Sequence, residues 1–211
     1  MSQESKSNLF YPNKIVRIYL ETLEEVMGKK GIHALLHLAK LPHLIDNYPP
    51  NNLEKAFPFE DFAALNQALE DMYGPKGGRG LALRAARASF DKGLKEFGAI
   101  VGVADAAFKL LPVKMRLSIG LKAMADVFNR FSDQVTKVEE KEDHFVYTIE
   151  VCPVCYGRHS DRPVCYAALG LLMEGLKWAI GKEFDVRETK CIAAGDPVCE
   201  FIIPKQPKEE E

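Results

Sequence analysis

The sequence predicts an α+β fold in which N-terminal helices pack on an antiparallel four-stranded sheet. Up to about residue 130, apolar residues recur at helical spacing, as in "NKIVRIYLETLEEVMG". The period then changes to two in "HFVYTIEVC", where one side carries Phe145, Tyr147, Ile149 and Val151. From there the chain reads β-β-α-β-β, and strands grouped in this way after a run of helices favour an antiparallel sheet covered by helices.

Apolar stripes define the helices of the first part. They run from Asn13 to a stop at Gly28, through "GIHALLHLAKL", and through "PFEDFAALNQALEDMYG" to a stop at Gly74. A fourth helix covers about 81–97, and "VKMRLSIGLKAMADVFNRFSD" forms a long helix with one strongly apolar face. Between these last two, "GAIVGVADAAFKLLP" is apolar almost all round, as expected of a buried helix or a cavity wall.

The second part is the predicted sheet. "QVTKVEEKED" and "HFVYTIEVC" form a hairpin, the helix "PVCYAALGLLMEGLKWAIG" follows, and "EFDVRETKCI" and "VCEFIIP" flank a Gly195-Asp196-Pro197 turn. The expected organisation is therefore a helical part at 13–135 and a sheet and cysteine-bearing part at 136–204. Residues 1–12 and 205–211 are polar and are expected to be disordered.

Charge and hydropathy exclude several classes. The 211 residues hold 28 basic and 30 acidic side chains, for a net charge of −2, which does not suggest a nucleic-acid-binding surface. The polar N-terminus does not resemble a signal peptide, and no long uncharged apolar run suits a membrane span. The expected compartment is the cytoplasm, where clustered cysteines more often bind metal or do redox work than form disulfides.

All five cysteines lie in the second part, at Cys152, Cys155, Cys165, Cys191 and Cys199. They follow or precede predicted strands and open the predicted helix, so four separated segments would present sulfur at one corner of the sheet. Zinc takes four such ligands in a tetrahedron, and a site with four protein ligands is structural. Two alternatives stay open: ordinary buried cysteines, or a redox dithiol at Cys152 and Cys155.

The segment "SDRPVCYAALGLLMEGLKWAIGKEFDVRETKCIAAGDPVCEFII" resembles the vinyl-reductase-type (four-vinyl-reductase, or hydrocarbon-binding) small-molecule-binding domain. The shared features are an Asp-x-Pro-Val-Cys entry to a helix, a Gly-Lys-Glu turn, and Cys-x-x-x-Gly-Asp-Pro-x-Cys-x-Phe. The likeness covers residues 140–203 and is weaker over 13–135. It implies a fold like that of a TRAPP vesicle-tethering subunit and a homodimer.

The resemblance also implies a ligand set for the metal. Sensor domains of this family, in phenol- and xylene-responsive activators, hold zinc with three cysteines and a glutamate. Cys165, Cys191 and Cys199 match the three cysteines. The glutamate is expected in the stretch where this chain has "CPVCYG", so Cys155, or else Cys152, would replace it. His159 is a further alternative ligand, and His33 and His37 could share a helix face.

A binding role is favoured over an enzyme, and no catalytic residues are predicted. No dinucleotide fingerprint is present, and "GPKGGRG" at 74–80 lacks the ending of a phosphate loop. The expected function is a carrier or sensor of a hydrophobic small molecule. Its pocket is predicted to be lined by Val101, Phe108, Met115, Met124, Phe128 and Trp178. The alternatives are a reductase or accessory protein of tetrapyrrole vinyl-group reduction, and a protein-interaction scaffold without a ligand.

Overall fold

The computed structural model describes residues 8–98, 100, 102 and 106–208. Five helices are formed by α1 (Asn13–Leu38), α2 (Phe59–Phe97), α3 (Ala106–Leu110), α4 (Val113–Phe131) and α5 (Tyr166–Ile180). Six strands are formed by β1 (Phe10–Pro12), β2 (Lys55–Pro58), β3 (Val135–Glu140), β4 (His144–Val151), β5 (Arg187–Lys190) and β6 (Cys199–Pro204). In this part of the chain, no helix combines the length and apolarity that crossing a membrane requires.

The main sheet is antiparallel and has the spatial order β3-β4-β6-β5. The last strand therefore lies inside the sheet against β4, with Ile149 opposite Cys199, and β5 takes the edge. The predicted α+β class, with a helical N-terminal part and an antiparallel sheet, is confirmed. The sequence pattern did not specify this spatial order, and it did not predict the small second sheet of β1 and β2.

Two glycines interrupt the long helices. Gly28 in α1 has φ 75° and ψ 165°, and Gly74 in α2 has φ 70° and ψ 171°, so each helix consists of two helical pieces. This region of backbone space is costly for any side chain, which is why glycine stands at both breaks. The predicted helix stops at Gly28 and Gly74 are therefore confirmed. The next helical piece begins at once, with Pro75 in its first turn.

The predicted terminal segments need correction. Strand β1 lies inside the range 1–12 that was expected to be disordered, and Asp133 accepts a hydrogen bond from the Phe10 N–H at 2.8 Å. At the other end, the N–H groups of Lys205 and Lys208 donate to the carbonyls of Asp143 and Glu183. Pairing of this backbone with the rest of the fold was not visible as a periodic pattern in such short segments.

Helix α5 approaches α2 closely enough to require a glycine. A Cβ atom added to Gly170 would lie 2.7 Å from the carbonyl oxygen of Leu83 and 3.0 Å from the Ala86 Cβ. The first of these atoms is backbone, which cannot rotate away. The small residue at position 170 therefore sets the distance between the two helices.

Replacing Gly170 by alanine is expected to destabilise the protein by about 1–3 kcal/mol, because α2 or α5 must shift to relieve the overlap. For a chain of this size, each kcal/mol corresponds to roughly 2–4 °C in melting temperature. The matched control is Gly80→Ala, whose added Cβ meets nothing within 4 Å and which should gain about 0.5–1 kcal/mol of helix stability. Equal melting temperatures for the two variants would contradict the close helix packing.

Candidate metal centre and apolar cavity

The five cysteines meet at one corner of the main sheet, and all are at most 2% exposed. Cys152 and Cys155 stand in the loop directly after β4, and Cys165 immediately precedes α5. Cys191 follows β5, and Cys199 is the first residue of β6. The structure thus brings together the cysteines that the sequence singled out, from four separate segments.

The sulfur–sulfur distances match those around a tetrahedral metal ion. The Sγ atom of Cys165 lies 3.6 Å from that of Cys152, 3.8 Å from that of Cys191 and 3.6 Å from that of Cys199. The Cys155 and Cys199 sulfurs are 3.4 Å apart. Two thiolates bound to one zinc ion at about 2.3 Å would be about 3.8 Å apart. The donor set therefore fits a thiolate-bound divalent ion.

A carboxylate also reaches the cluster. Glu188 of β5 forms a possible ligand group with Cys165, Cys191 and Cys199, and its ligand atom lies within 4.8 Å of theirs. One of its oxygens accepts a hydrogen bond from the Cys165 N–H at 2.8 Å. The other, Oε1, is buried and has no hydrogen-bond partner among the described residues. A buried carboxylate oxygen without a partner is costly and is a natural metal ligand.

The location of this carboxylate corrects the expectation that residues 152 or 155 replace the family's glutamate. The structure offers two quartets: Cys152, Cys155, Cys165 and Cys199, or Cys165, Glu188, Cys191 and Cys199. Sequence reasoning missed Glu188, although a signal was present. Phe184 and Val186 are buried, and a period of two places residue 188 on the same inward face.

Burial controls the protonation of the cluster. It raises the pKa of the Cys152 and Cys165 thiols. It also raises the pKa of the Glu188 carboxyl to about 9, with the nearby Cys191 adding to the effect. Without a cation these groups are held in their protonated forms, and a bound divalent ion would favour their anionic forms.

Hydrogen bonds hold the ligand-bearing segments in place. Asp196 accepts from the Cys191 N–H at 2.8 Å, and the Ile192 N–H donates to the Cys199 sulfur at 3.4 Å. The Ser160 N–H donates to the Ala193 carbonyl at 2.8 Å, which ties the loop after β4 to the β5–β6 turn. These bonds position the ligands independently of the metal.

An ion pair anchors the same loop to α2. Arg158 contacts Glu70, and their side chains are only 6% and 9% exposed. Arg158 also donates to Gln67 at 2.9 Å, and Arg162 reaches the second oxygen of Glu70 at 3.1 Å. Removing one partner of a buried pair leaves an uncompensated charge, so this contact fixes the loop firmly. The sequence pattern gave no indication of it.

An apolar cavity of about 160 Å³ lies beside the cysteine cluster, between the helices and the sheet. Its walls come from α1, α2, α4, α5 and β4, with Val154 from the loop between Cys152 and Cys155. The cavity and the metal-binding corner therefore share a wall.

The polar groups of the cavity wall are mostly satisfied by each other. The Tyr11 hydroxyl donates to Gln134 at 2.6 Å, and the Tyr19 hydroxyl donates to Asn66 at 3.1 Å. Burial raises the pKa of both tyrosines. Arg116 donates from Nη1 to the Ala179 carbonyl at 2.7 Å, but its buried Nε has no partner among the described residues.

The predicted pocket residues have different fates. Met124, Phe128 and Trp178 line the cavity. Phe108 is buried and stacks on Trp178, with ring centroids 5.4 Å apart, so it supports the wall from behind. Val101, like the neighbouring Asp105, lies outside the described residues.

Met115 corrects the prediction. It is 47% exposed in the first turn of α4 and does not line the cavity, whereas the adjacent Arg116 and Leu117 do. The apolar stripe of a helix fixes a face only where several turns are present, and Met115 lies at the start of the stripe. The apolar face is instead continued by Leu121 and Met124.

The histidines lie away from both features. His33 is 3.5 Å from Asp46, and His144 pairs with Asp143 at 2.6 Å. His37, His43 and His159 are exposed. All five histidines are described, and none lines the cavity or joins a potential metal-binding group.

Comparison with solved structures defines the class of fold. A structure from a study of heme distortion in the H-NOX family aligns over 95% of this chain and 98% of its own, with a TM-score of 0.60 and 15% identity. An Fe(II) unliganded H-NOX protein from K. algicida covers 94% and 97%, with a TM-score of 0.58 and 17% identity. An oxygen-binding H-NOX domain related to soluble guanylate cyclases covers 95% and 100%, with a TM-score of 0.57 and 15% identity. The fold is H-NOX-like.

Sequence comparison adds a family. Residues 145–205 match the model of the four-vinyl-reductase domain, so the sheet and cysteine-bearing part is similar to domains of that family. This supports the vinyl-reductase-type resemblance seen in the sequence over nearly the same residues. No curated protein matches the chain. Together, the H-NOX-like fold and the four-vinyl-reductase match suggest a module that binds or senses a small molecule.

Proposed function

We propose that this protein is a carrier or sensor of a small hydrophobic molecule, with zinc holding the cysteine-rich corner beside the binding cavity. The observation that carries the proposal is the apolar cavity, whose wall includes Val154 from the metal-binding loop. Enclosed apolar space with a few polar groups is typical of small-molecule sites. Metal thiolates require reduced cysteines, which fits the expected cytoplasmic location.

The size of the cavity limits the ligand. Its volume is about 160 Å³, and an engineered apolar cavity of about 150 Å³ in another protein binds benzene. We therefore infer a ligand about the size of one aromatic ring. The unpaired Nε of Arg116 favours a ligand that carries a hydrogen-bond acceptor, such as a hydroxyl group.

The H-NOX-like fold raises the question of heme, because several of the similar structures come from heme proteins by description. The residues do not fit that group. Heme iron is held by histidine, cysteinate or tyrosinate, or by methionine together with histidine, and no histidine or cysteine of the described chain lines this cavity. The hydroxyls of Tyr11 and Tyr19 are hydrogen-bonded and have raised pKa values, which disfavours tyrosinate. A tetrapyrrole of any kind is also far larger than a single ring.

The zinc site and the homodimer belong to the same proposal. The sulfur distances and the unpartnered Glu188 oxygen support zinc. Leu110, Val113 and Met115 are exposed apolar side chains, and Leu110 reaches 85%. We propose that a second copy of the chain, in a TRAPP-like pairing, covers this patch, because large apolar side chains exposed together often mark an interface.

Native mass spectrometry and melting curves with toluene, phenol and hemin as probes test this function. Phenol and toluene are expected to bind, phenol more tightly, and a ligand at 100 times its Kd should stabilise the fold by about 2.7 kcal/mol. Hemin is expected to leave the melting temperature unchanged. Binding of hemin alone would overturn the proposed ligand class, and a monomer mass would overturn the pairing. If no probe binds, the ligand-free scaffold replaces the proposed function.

A further inference from the structure

The cysteine cluster holds more ligands than one metal ion can use. Five thiols and the Glu188 carboxylate converge, whereas zinc in proteins takes four ligands. We propose that the cluster binds two divalent metal ions, which share the thiolates of Cys165 and Cys199. This inference rests on the proposed zinc site and extends it from one ion to two.

The two possible quartets have the arrangement that a shared site requires. One consists of Cys152, Cys155, Cys165 and Cys199, and the other of Cys165, Glu188, Cys191 and Cys199. Within each quartet the ligand atoms lie within 4.8 Å of one another. Cys165 and Cys199 belong to both, and their sulfurs are 3.6 Å apart, close enough to bind the same two ions.

Two shared sulfurs and four unshared donors give each ion four ligands. A single ion would instead leave two buried donors unused. In the first quartet, the unused groups are Cys191 and the unpartnered Oε1 of Glu188. In the second, they are Cys152 and Cys155, which are at most 2% exposed. Polar groups buried without partners are costly, so the arrangement that uses every donor is favoured.

Charge also favours two ions. Two divalent ions bring four positive charges to six anionic donors, while one ion facing the same donors leaves a larger uncompensated negative charge in a buried site. The N–H of Ile192 donates to the bridging Cys199 sulfur at 3.4 Å, which offsets part of the remainder. Thiolate-rich donor sets select soft or borderline metals such as zinc.

Metal content of the full chain, purified with zinc and a thiol reductant, tests the number of ions. Elemental analysis is expected to find two zinc ions per chain. Replacing Cys152 and Cys155 together by serine should leave one ion, and so should Glu188→Gln combined with Cys191→Ser. The matched control is Glu150→Gln, which removes an exposed carboxylate paired with Lys137 and should retain both ions.

The wild-type count separates the two proposals. One zinc ion per folded chain would overturn the shared site and leave the proposed single zinc site standing. A folded chain without metal would overturn both. The wild-type measurement does not depend on whether any variant folds.

Cadmium-113 NMR of the wild-type protein provides a second readout. Shared thiolates are expected to give two resonances of equal area with a mutual coupling, one from an all-sulfur site and one from a site with an oxygen ligand. The variant lacking Cys152 and Cys155 should keep only the second resonance. A single resonance from fully loaded wild-type protein, or two resonances without coupling, would contradict sharing.

Discussion

Removing zinc from the folded protein is expected to lower its free energy of unfolding by on the order of 5 kcal/mol. The metal would join four chain segments that otherwise bring buried thiols together, and structural zinc contributes its binding energy to folding. The loss corresponds to roughly 10–20 °C in melting temperature at 2–4 °C per kcal/mol. Melting curves with and without a strong zinc chelator, under thiol reductant, measure it.

Cys165→Ala is the sharpest variant for this test, because Cys165 contacts Cys152, Cys191 and Cys199 and belongs to both quartets. It is expected to melt near the temperature of chelated wild type, and the chelator should then have little further effect. Alanine avoids burying a new hydroxyl group. If the chelator destabilises this variant as much as the wild type, the metal is bound elsewhere.

Filling the cavity is expected to abolish ligand binding without loss of stability. Ala168 on α5 lines the cavity, and leucine at this position would occupy space that a single ring needs. We expect phenol affinity to fall at least about 100-fold, equivalent to roughly 2.7 kcal/mol, while the buried methyl groups keep the melting temperature equal or higher. Titration calorimetry with phenol provides the measurement.

The control for this variant is Ala88→Leu, which adds the same side chain at an exposed position of α2. It should bind phenol as the wild type does. Unchanged phenol binding in Ala168→Leu would place the ligand outside the cavity, while loss of binding in both variants would point to a general disturbance of the helices.

Much of the architecture followed from periodicity and from glycine. Long segments such as α4 repeat apolar residues often enough to define a face, and the change to alternation marks β4 clearly. Gly28 and Gly74 were identified as breaks because only glycine tolerates their backbone angles. The cysteines were identifiable because all five lie between residues 152 and 199.

Other features depended on tertiary structure. The three-residue strand β1 is too short to show a period, and its pairing with β2 is a contact between segments far apart in sequence. Glu188 is one acidic residue among many, and only the fold brings it to the cysteines. Met115 and Arg116 are neighbours on α4, yet only the second lines the cavity, because the direction of a helix end depends on what it packs against.

Val154 links two properties of the molecule, because it stands between Cys152 and Cys155 and also forms part of the cavity wall. Affinities at two linked sites obey reciprocity: if the metal changes affinity for the small molecule by some factor, the small molecule changes affinity for the metal equally. Filling the cavity would then alter how fast zinc escapes to a competing chelator. The protein would report an organic compound through the lifetime of an inorganic ion.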